Sequence, residues 1–279
     1  MKGGSRKDMK NTRKFRFRLG AAVIGIMIFL AVVSLFYTPF SPYAMNPAQR
    51  FLPPCLSHWF GTDQFGRDNF SRAVTGARYS LLVATATVVL SGTIGITTGL
   101  FTGYLGGALE AVVMRLTDAL SSFPGVLMAL IAVTVCGGGR FTIILALAVA
   151  FLPGYIRIAR SGAQQIKSRE YIEAARISGV STRRILYRHI LPNIMPSVIP
   201  AVVVGLSNAI LAESGMSYLG LGIQPPAPSW GRMLAEGQAY LLKAPWEALS
   251  AGVMIFLVVL GFNNLGENLP VFSGPEDAA

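Results

Sequence analysis

Charge is what this chain has least of. Asp, Glu, Lys and Arg make up 13% of its 279 residues, about half the share of a soluble domain. Acid is scarcer than base, 13 residues against 24, so the net charge is +11. Cysteine and histidine number two each, Cys55 and Cys136, His58 and His189. These are too few and too scattered for a disulfide framework or a zinc cluster, so no metal site is expected. The chain also lacks a G-x-x-x-x-G-K-[ST] phosphate loop, so it is not expected to bind ATP itself. No HExxH pattern and no Ser-His pair within an apolar run supports an intramembrane enzyme, and no catalytic residue is expected.

What fills the chain instead is apolar. Hydrophobic residues are 52% of it and the mean hydropathy is +0.53, which places it among membrane proteins. Runs long enough to cross a bilayer stand at 19–37, 79–104, 112–135, 141–158, 194–214 and 247–266. No small-x-small cleavage site follows the first run, so it reads as an uncleaved span.

The basic residues gather in two places. Lys2, Arg6, Lys7, Lys10, Arg13, Lys14, Arg16 and Arg18 precede the first run; Arg157, Arg160, Lys167, Arg169, Arg176, Arg183, Arg184 and Arg188 lie between the fourth and fifth. The positive-inside rule puts both clusters in the cytoplasm. Six spans with a cytoplasmic N-terminus put 159–193 on that same side, so parity and charge agree. Apolar runs flank the second cluster directly, which argues against a nucleic-acid face. The expected fold class is all-α: a polytopic membrane protein with about six transmembrane helices. Its expected parts are a basic cytoplasmic N-terminus (1–18), a first transmembrane helix (19–38), an extracytoplasmic segment (39–78), a five-helix core (79–269) that includes the cytoplasmic loop 159–193, and a tail (270–279).

Two features within this frame carry specific expectations. Gly95, Gly99 and Gly103 repeat every fourth residue, which lines one helix face for close packing against another helix. Residues 169–192 spell helix, glycine turn, helix: Ile172, Ala175 and Ile177 make an amphipathic turn, Gly179 stands at a left-handed C-cap, and Ser181 is a good N-cap for a second short helix, 182–190, ending at Pro192. Small Ala174, Ala175 and Gly179 let a partner groove approach, and the arginines suit acidic partners or lipid headgroups.

Lone polar residues are weighed against plainer roles. Asp118 lies in the first turns of the third run, and Arg115 three residues earlier is its expected pair. Glu213, near the external end of the fifth run, either faces a cationic substrate or satisfies the Gly215–Gly222 turn, the second being the commoner case. Asn208 joins Asp118 and Glu213 as a pathway or gating candidate. Asp63, Arg67, Asp68 and Arg72 alternate in sign and read either as a solvated, internally paired surface or as a segment that shapes the external mouth or contacts a partner protein. Pro225, Pro226, Pro228 and Trp230 read as a rigid external loop with an interfacial aromatic.

Glu173-Ala174-Ala175, Gly179 and then His189-Ile190-Leu191-Pro192 resemble the EAA signature of ABC-importer permeases: EAA, three residues, Gly, nine residues, I-x-L-P. His189 stands where the general pattern has Ile, as is similar to the dipeptide/oligopeptide/nickel branch. Residues 61–81 (GTDQFGRDNFSRAVTGARYSL), residues 213–231 (ESGMSYLGLGIQPPAPSWG) and the Arg115, Asp118, Phe123-Pro124 series resemble that branch too, in consistent order over residues 15–266. The C-terminal NLPVFSGPEDAA departs from its basic, Asp-rich tail. The resemblance implies an ABC importer permease fold and a "C"-type subunit in the cytoplasmic membrane of a bacterium or archaeon. It implies transport of a peptide or a nickel complex. Its implied partners are a paired homologous permease, two ABC ATPase subunits that bind the ATP, an extracytoplasmic substrate-binding protein and the bilayer, with no cofactor of its own. Glu173, Ala174, Ala175, Arg176, Gly179, Leu191 and Pro192 would then couple to an ATPase. An ion-coupled secondary transporter is the alternative, although no inverted repeat is evident.

Overall fold

The computed structural model describes the backbone of residues 3–269, with side chains from Asn11 onward. Lys2 of the basic leader and the expected tail 270–279 lie outside the described residues. Ten helices follow in order, and no strand is found among the described residues. Helix α1 (Gly3–Val33) leads through an extended segment, with one short 3₁₀ turn at Pro47–Gln49, to α2 (Asn69–Leu105). Then come α3 (Gly107–Ser121), α4 (Gly125–Cys136) and α5 (Arg140–Lys167). A short α6 (Glu170–Ile177) precedes α7 (Thr182–Arg184) and α8 (Leu191–Tyr218), and α9 (Trp230–Gln238) and α10 (Pro245–Asn268) close the fold.

Among the described residues, five helical stretches are long and apolar enough to cross a membrane, and α3 with α4 makes a sixth if that broken pair, bent by 81°, is one span. The bend corrects the continuous span expected over 112–135. Pro124 causes it: proline lacks a backbone donor and pushes the residue before it out of helical geometry. The second span also begins earlier than expected, at Asn69. Asp68 caps it, its carboxylate accepting from the Ser71 amide at 2.7 Å. Its first turns are polar, yet Asn69, Ser71 and Arg72 are buried, so hydropathy alone misses them.

The expected glycine face lies in the seam between α2 and α5. A Cβ added to Gly95 would stand 2.7 Å from the Tyr155 Cβ, and one on Gly103 would stand 2.5 Å from the Arg160 carbonyl oxygen. One on Gly99 would collide with the Ile156 carbonyl oxygen and the Ala159 Cβ. The two backbones therefore touch along three helical turns. Beyond this seam, Leu100, Ala159, Ala163 and Ile166 join Ile172, Ile185, Leu186 and Ile190 in one core cluster. That cluster lies at the end that carries the second basic cluster.

At the opposite end a cap covers α2, α8 and α10. Trp230 is not the interfacial aromatic expected of it: it is fully buried, and its Nε1 donates to the Ala73 carbonyl at 2.9 Å. Trp246 Nε1 likewise donates to the Thr62 carbonyl at 3.2 Å.

Candidate functional site: the basic turn and its helices

Helix α6 grows directly out of α5, with Ser168 and Arg169 between them. It is eight residues long, too short to be stable without packing. Ile172 supplies the packing. It is 2% exposed and sits in the cluster of Ile185, Leu186 and Ile190, with Ala175 and Val180 partly buried against the same cluster. The helix ends as its sequence implies. The Ser178, Gly179 and Val180 amides donate to the Ala174, Arg176 and Ala175 carbonyls at 2.9, 3.1 and 3.1 Å. Gly179 takes φ +75°, the left-handed conformation that costs other residues about 1–2 kcal/mol. A Cβ there would meet nothing within 4 Å. The backbone, not crowding, therefore requires glycine at this position.

The outward side of the turn presents Glu173, Ala174, Arg176, Ile177 and Gly179, all exposed. Ile177 is 87% exposed, which corrects its expected place on the packed face. It stands five residues from Ile172, and a 3.6-residue period puts it well off the buried stripe. Among the described residues none of Glu173, Arg169, Arg176, Arg183, Arg184 or Arg188 forms an ion pair. An exposed isoleucine among small residues and free charges is a surface suited to a protein groove.

The second short helix expected over 182–190 does not stop at Pro192. Thr182 to Tyr218 runs as one 37-residue helix through a π-helical stretch, Ile185–Ile190. The wide turn absorbs the proline: the Leu191 amide donates five residues back to the Leu186 carbonyl, and Asn193 Nδ2 reaches the His189 carbonyl at 2.7 Å. Ser181 stands at the N-cap with extended backbone, but its hydroxyl makes no capping bond. Leu191 is half-buried against the Ile172, Ile185 and Ile190 cluster and Pro192 lies at the helix surface. They shape the start of α8 and are not part of the exposed turn.

Neighbouring polar residues brace the same end. On α3, Glu110 accepts from Arg160 and, at 2.7 Å, from Gln164 Nε2 of α5. Asp118 pairs with Arg157 Nη2 of α5 at 2.8 Å and not with Arg115, because a packed neighbouring helix offers a partner that the sequence interval does not show. Asp118 and Arg157 are both largely exposed, so the pair is worth little in itself.

The pathway candidates do not gather. Asn208 is exposed on α8. Glu213 is fully buried five residues further along and accepts from Ser217 Oγ at 2.6 Å, and Ser217 Oγ accepts from the Ile223 amide at 3.3 Å. Through Ser217 it holds the turn after α8, which is the plainer of its two expected roles.

The alternating charges at 63–72 are the largest surprise. They are internally paired as expected, but they are not solvated. Asp63, Arg67, Asp68 and Arg72 are all buried. Arg67 Nη2 and Arg72 Nη2 reach Glu236 Oε2 on α9 at 3.0 and 2.7 Å, Arg67 Nε reaches Asp63 Oδ2 at 2.5 Å, and His58 Nδ1 meets Asp68 Oδ1 at 2.9 Å. Glu236 lies more than 160 residues away from both arginines, and nothing in the local pattern points to it.

This architecture has known counterparts. The family described as the binding-protein-dependent transport system inner membrane component matches residues 95–269. The dipeptide transport system permease protein DppC of Alkalihalophilus pseudofirmus is 37% identical over 265 residues, covering 95% of this chain and 87% of that protein. The glutathione transport system permease protein GsiD of Escherichia coli is 38% identical, covering 92% and 86%. Among solved structures, the MetNI methionine ABC transporter in inward-facing form shares the fold at a TM-score of 0.59, with 18% identity over 71% of this chain and 94% of that chain. The chain belongs to the family of binding-protein-dependent transport system inner membrane components, the membrane-spanning permeases of ABC importers.

Proposed function

We propose that this chain is one of two paired permease subunits of an importer for small peptides, driven by separate ATPase subunits that seat on the 169–184 turn. The observation that carries the reading is the turn itself: an exposed Ile177 beside Glu173, Ala174 and Gly179, with arginines that have no carboxylate partner among the described residues. The turn joins two long helices, α5 on one side and the 37-residue Thr182–Tyr218 helix on the other. A push on it therefore moves rigid levers that reach the opposite face. The α2–α5 seam is backbone-tight, so α2 travels with α5 as one body. Access to a pathway between this chain and its paired permease then alternates as the ATPases close and open. ATP is bound and hydrolysed on those partners, and an extracytoplasmic binding protein delivers the cargo.

Peptide cargo is favoured over a nickel complex because the relatives compared carry the names of dipeptide and glutathione permeases. The test is uptake into inside-controlled vesicles holding the intact complex. A di- or tripeptide should accumulate when ATP is supplied on the turn side and should not respond to a proton or sodium gradient alone. Accumulation driven by an ion gradient without ATP would establish the secondary-transporter alternative and end this reading.

A further inference from the structure

A groove of about 510 Å³ runs between α1 and α2 on the outer surface of the bundle. Its walls are Ile28, Val32 and Leu35 on one side and Leu82, Ala86 and Val89 on the other. The helices run in opposite directions, so Leu35 and Arg78 mark the external end and Ile28 and Val89 the inner end. Arg78 to Val89 spans eleven residues, about 16 Å of helix, which is roughly one leaflet of a ~30 Å hydrocarbon core. Arg78 is the one charged residue of the lining. It stands level with the outer end of the first apolar run, where headgroups begin.

Arg78 is also not neutralised from within. Among the described residues it has no carboxylate within ion-pair distance. Its Nη2 donates to the Tyr79 hydroxyl at 3.1 Å, and its guanidinium lies 4.8 Å from the centre of that ring. These contacts hold the side chain in place and leave its other donors free. No acidic residue lines the groove to receive a cationic headgroup. A second groove of about 380 Å³, bounded by Gly92, Ile96, Tyr187 and Met195, has no charged residue at all. The charge is therefore particular to the first.

We propose that the α1–α2 groove binds an outer-leaflet phospholipid of net negative charge, with one acyl chain between the helices and the phosphate on Arg78. Guanidinium and phosphate match in geometry and charge, and the pair sits at the edge of low-dielectric surroundings where it is poorly screened. The acyl chain covers Ile28, Val32, Leu35, Leu82 and Val89, which are otherwise exposed.

The test uses the purified full complex exchanged into detergent containing phosphatidylglycerol or phosphatidylcholine, with bound lipid counted by native mass spectrometry. The native complex should retain phosphatidylglycerol in preference to phosphatidylcholine. Arg78→Gln should weaken that retention about tenfold, the worth of one charge-assisted hydrogen bond. Arg78→Lys should keep most of it, which separates lost charge from lost folding. Ala86→Phe, which fills the groove, should abolish retention while leaving Arg78 intact. Equal retention of the two lipids, or unchanged retention in Arg78→Gln, would overturn the proposal. So would a high-yield cross-link from Val89→Cys to the paired permease, since a protein helix would then occupy the groove.

Discussion

The two ends of this molecule use the same residue types in opposite ways. At the basic turn, Arg169, Arg176, Arg183, Arg184 and Arg188 are exposed without a carboxylate partner among the described residues, and Glu173 beside them is equally free. At the cap on the opposite end, Arg67 and Arg72 are buried and clamped between Asp63 and Glu236. Burying a charge is costly unless it is paired, and breaking such a pair costs more than an exposed pair ever contributes. The cap has thus committed its charges to holding loop 61–68 against α9. The turn has kept its charges available to something outside the chain. Substitutions at the two ends should consequently fail in different ways, the cap in folding and the turn in function.

The largest effect is expected at the cap. Arg72→Ala leaves Asp63 and Glu236 short of a buried counter-charge and should cost about 3 kcal/mol or more. Thermal unfolding of the detergent-purified complex should show the loss, and near-native stability would mean that the network is not closed in the membrane. Next comes the seam that joins the ends. Gly99→Leu collides with the Ile156 carbonyl and Ala159, and overpacking of this kind costs about 1–3 kcal/mol. It should lower both stability and uptake. At the turn, Glu173→Lys should leave stability within about 0.5 kcal/mol, as for other surface changes. The same substitution should abolish ATP-dependent uptake. A parallel loss of stability would erase the contrast between the ends.

The smallest predicted effect concerns orientation. Cys55 is exposed in the segment between α1 and α2, which is expected to lie outside, and its thiol is held below the ordinary range chiefly by the hydrogen bond with Ser57 Oγ at 3.2 Å. A lowered value means more thiolate at neutral pH. In a Cys136→Ser background, a membrane-impermeant maleimide added outside should label Cys55, and Ser57→Ala should move the rate profile to higher pH. Labelling only after the membrane is opened would invert the topology.

Much of this contrast was legible before the structure. Hydrocarbon-length runs and the clustering of arginines between them located the spans and the turn that joins α5 to α8, because both signals are local in sequence. Gly179 was readable as a C-cap for the same reason. What escaped depends on distant partners. Arg67 and Arg72 look like surface charge until Glu236 is brought over them. Asp118 has Arg115 nearby in sequence and Arg157 nearby in space. Trp230 reads as interfacial until α9 folds it onto Ala73. Pro124 was visible as a breaker inside an apolar run, and the length of that run concealed the bend. Ile177 was misassigned although its spacing from Ile172 already placed it on the outer face.

In the proposed coupling the turn seats a separate ATPase, and Ile177, 87% exposed, is the large hydrophobic residue that it presents most openly. In a chain freed of Cys55 and Cys136, Ile177→Cys carrying a short photo-activated cross-linker should join this subunit to an ATPase chain in native membranes, and adding Glu173→Lys should remove the adduct. If Ile177→Cys instead joins only lipid, or is labelled by an impermeant reagent from outside the cell, the turn is not where energy enters.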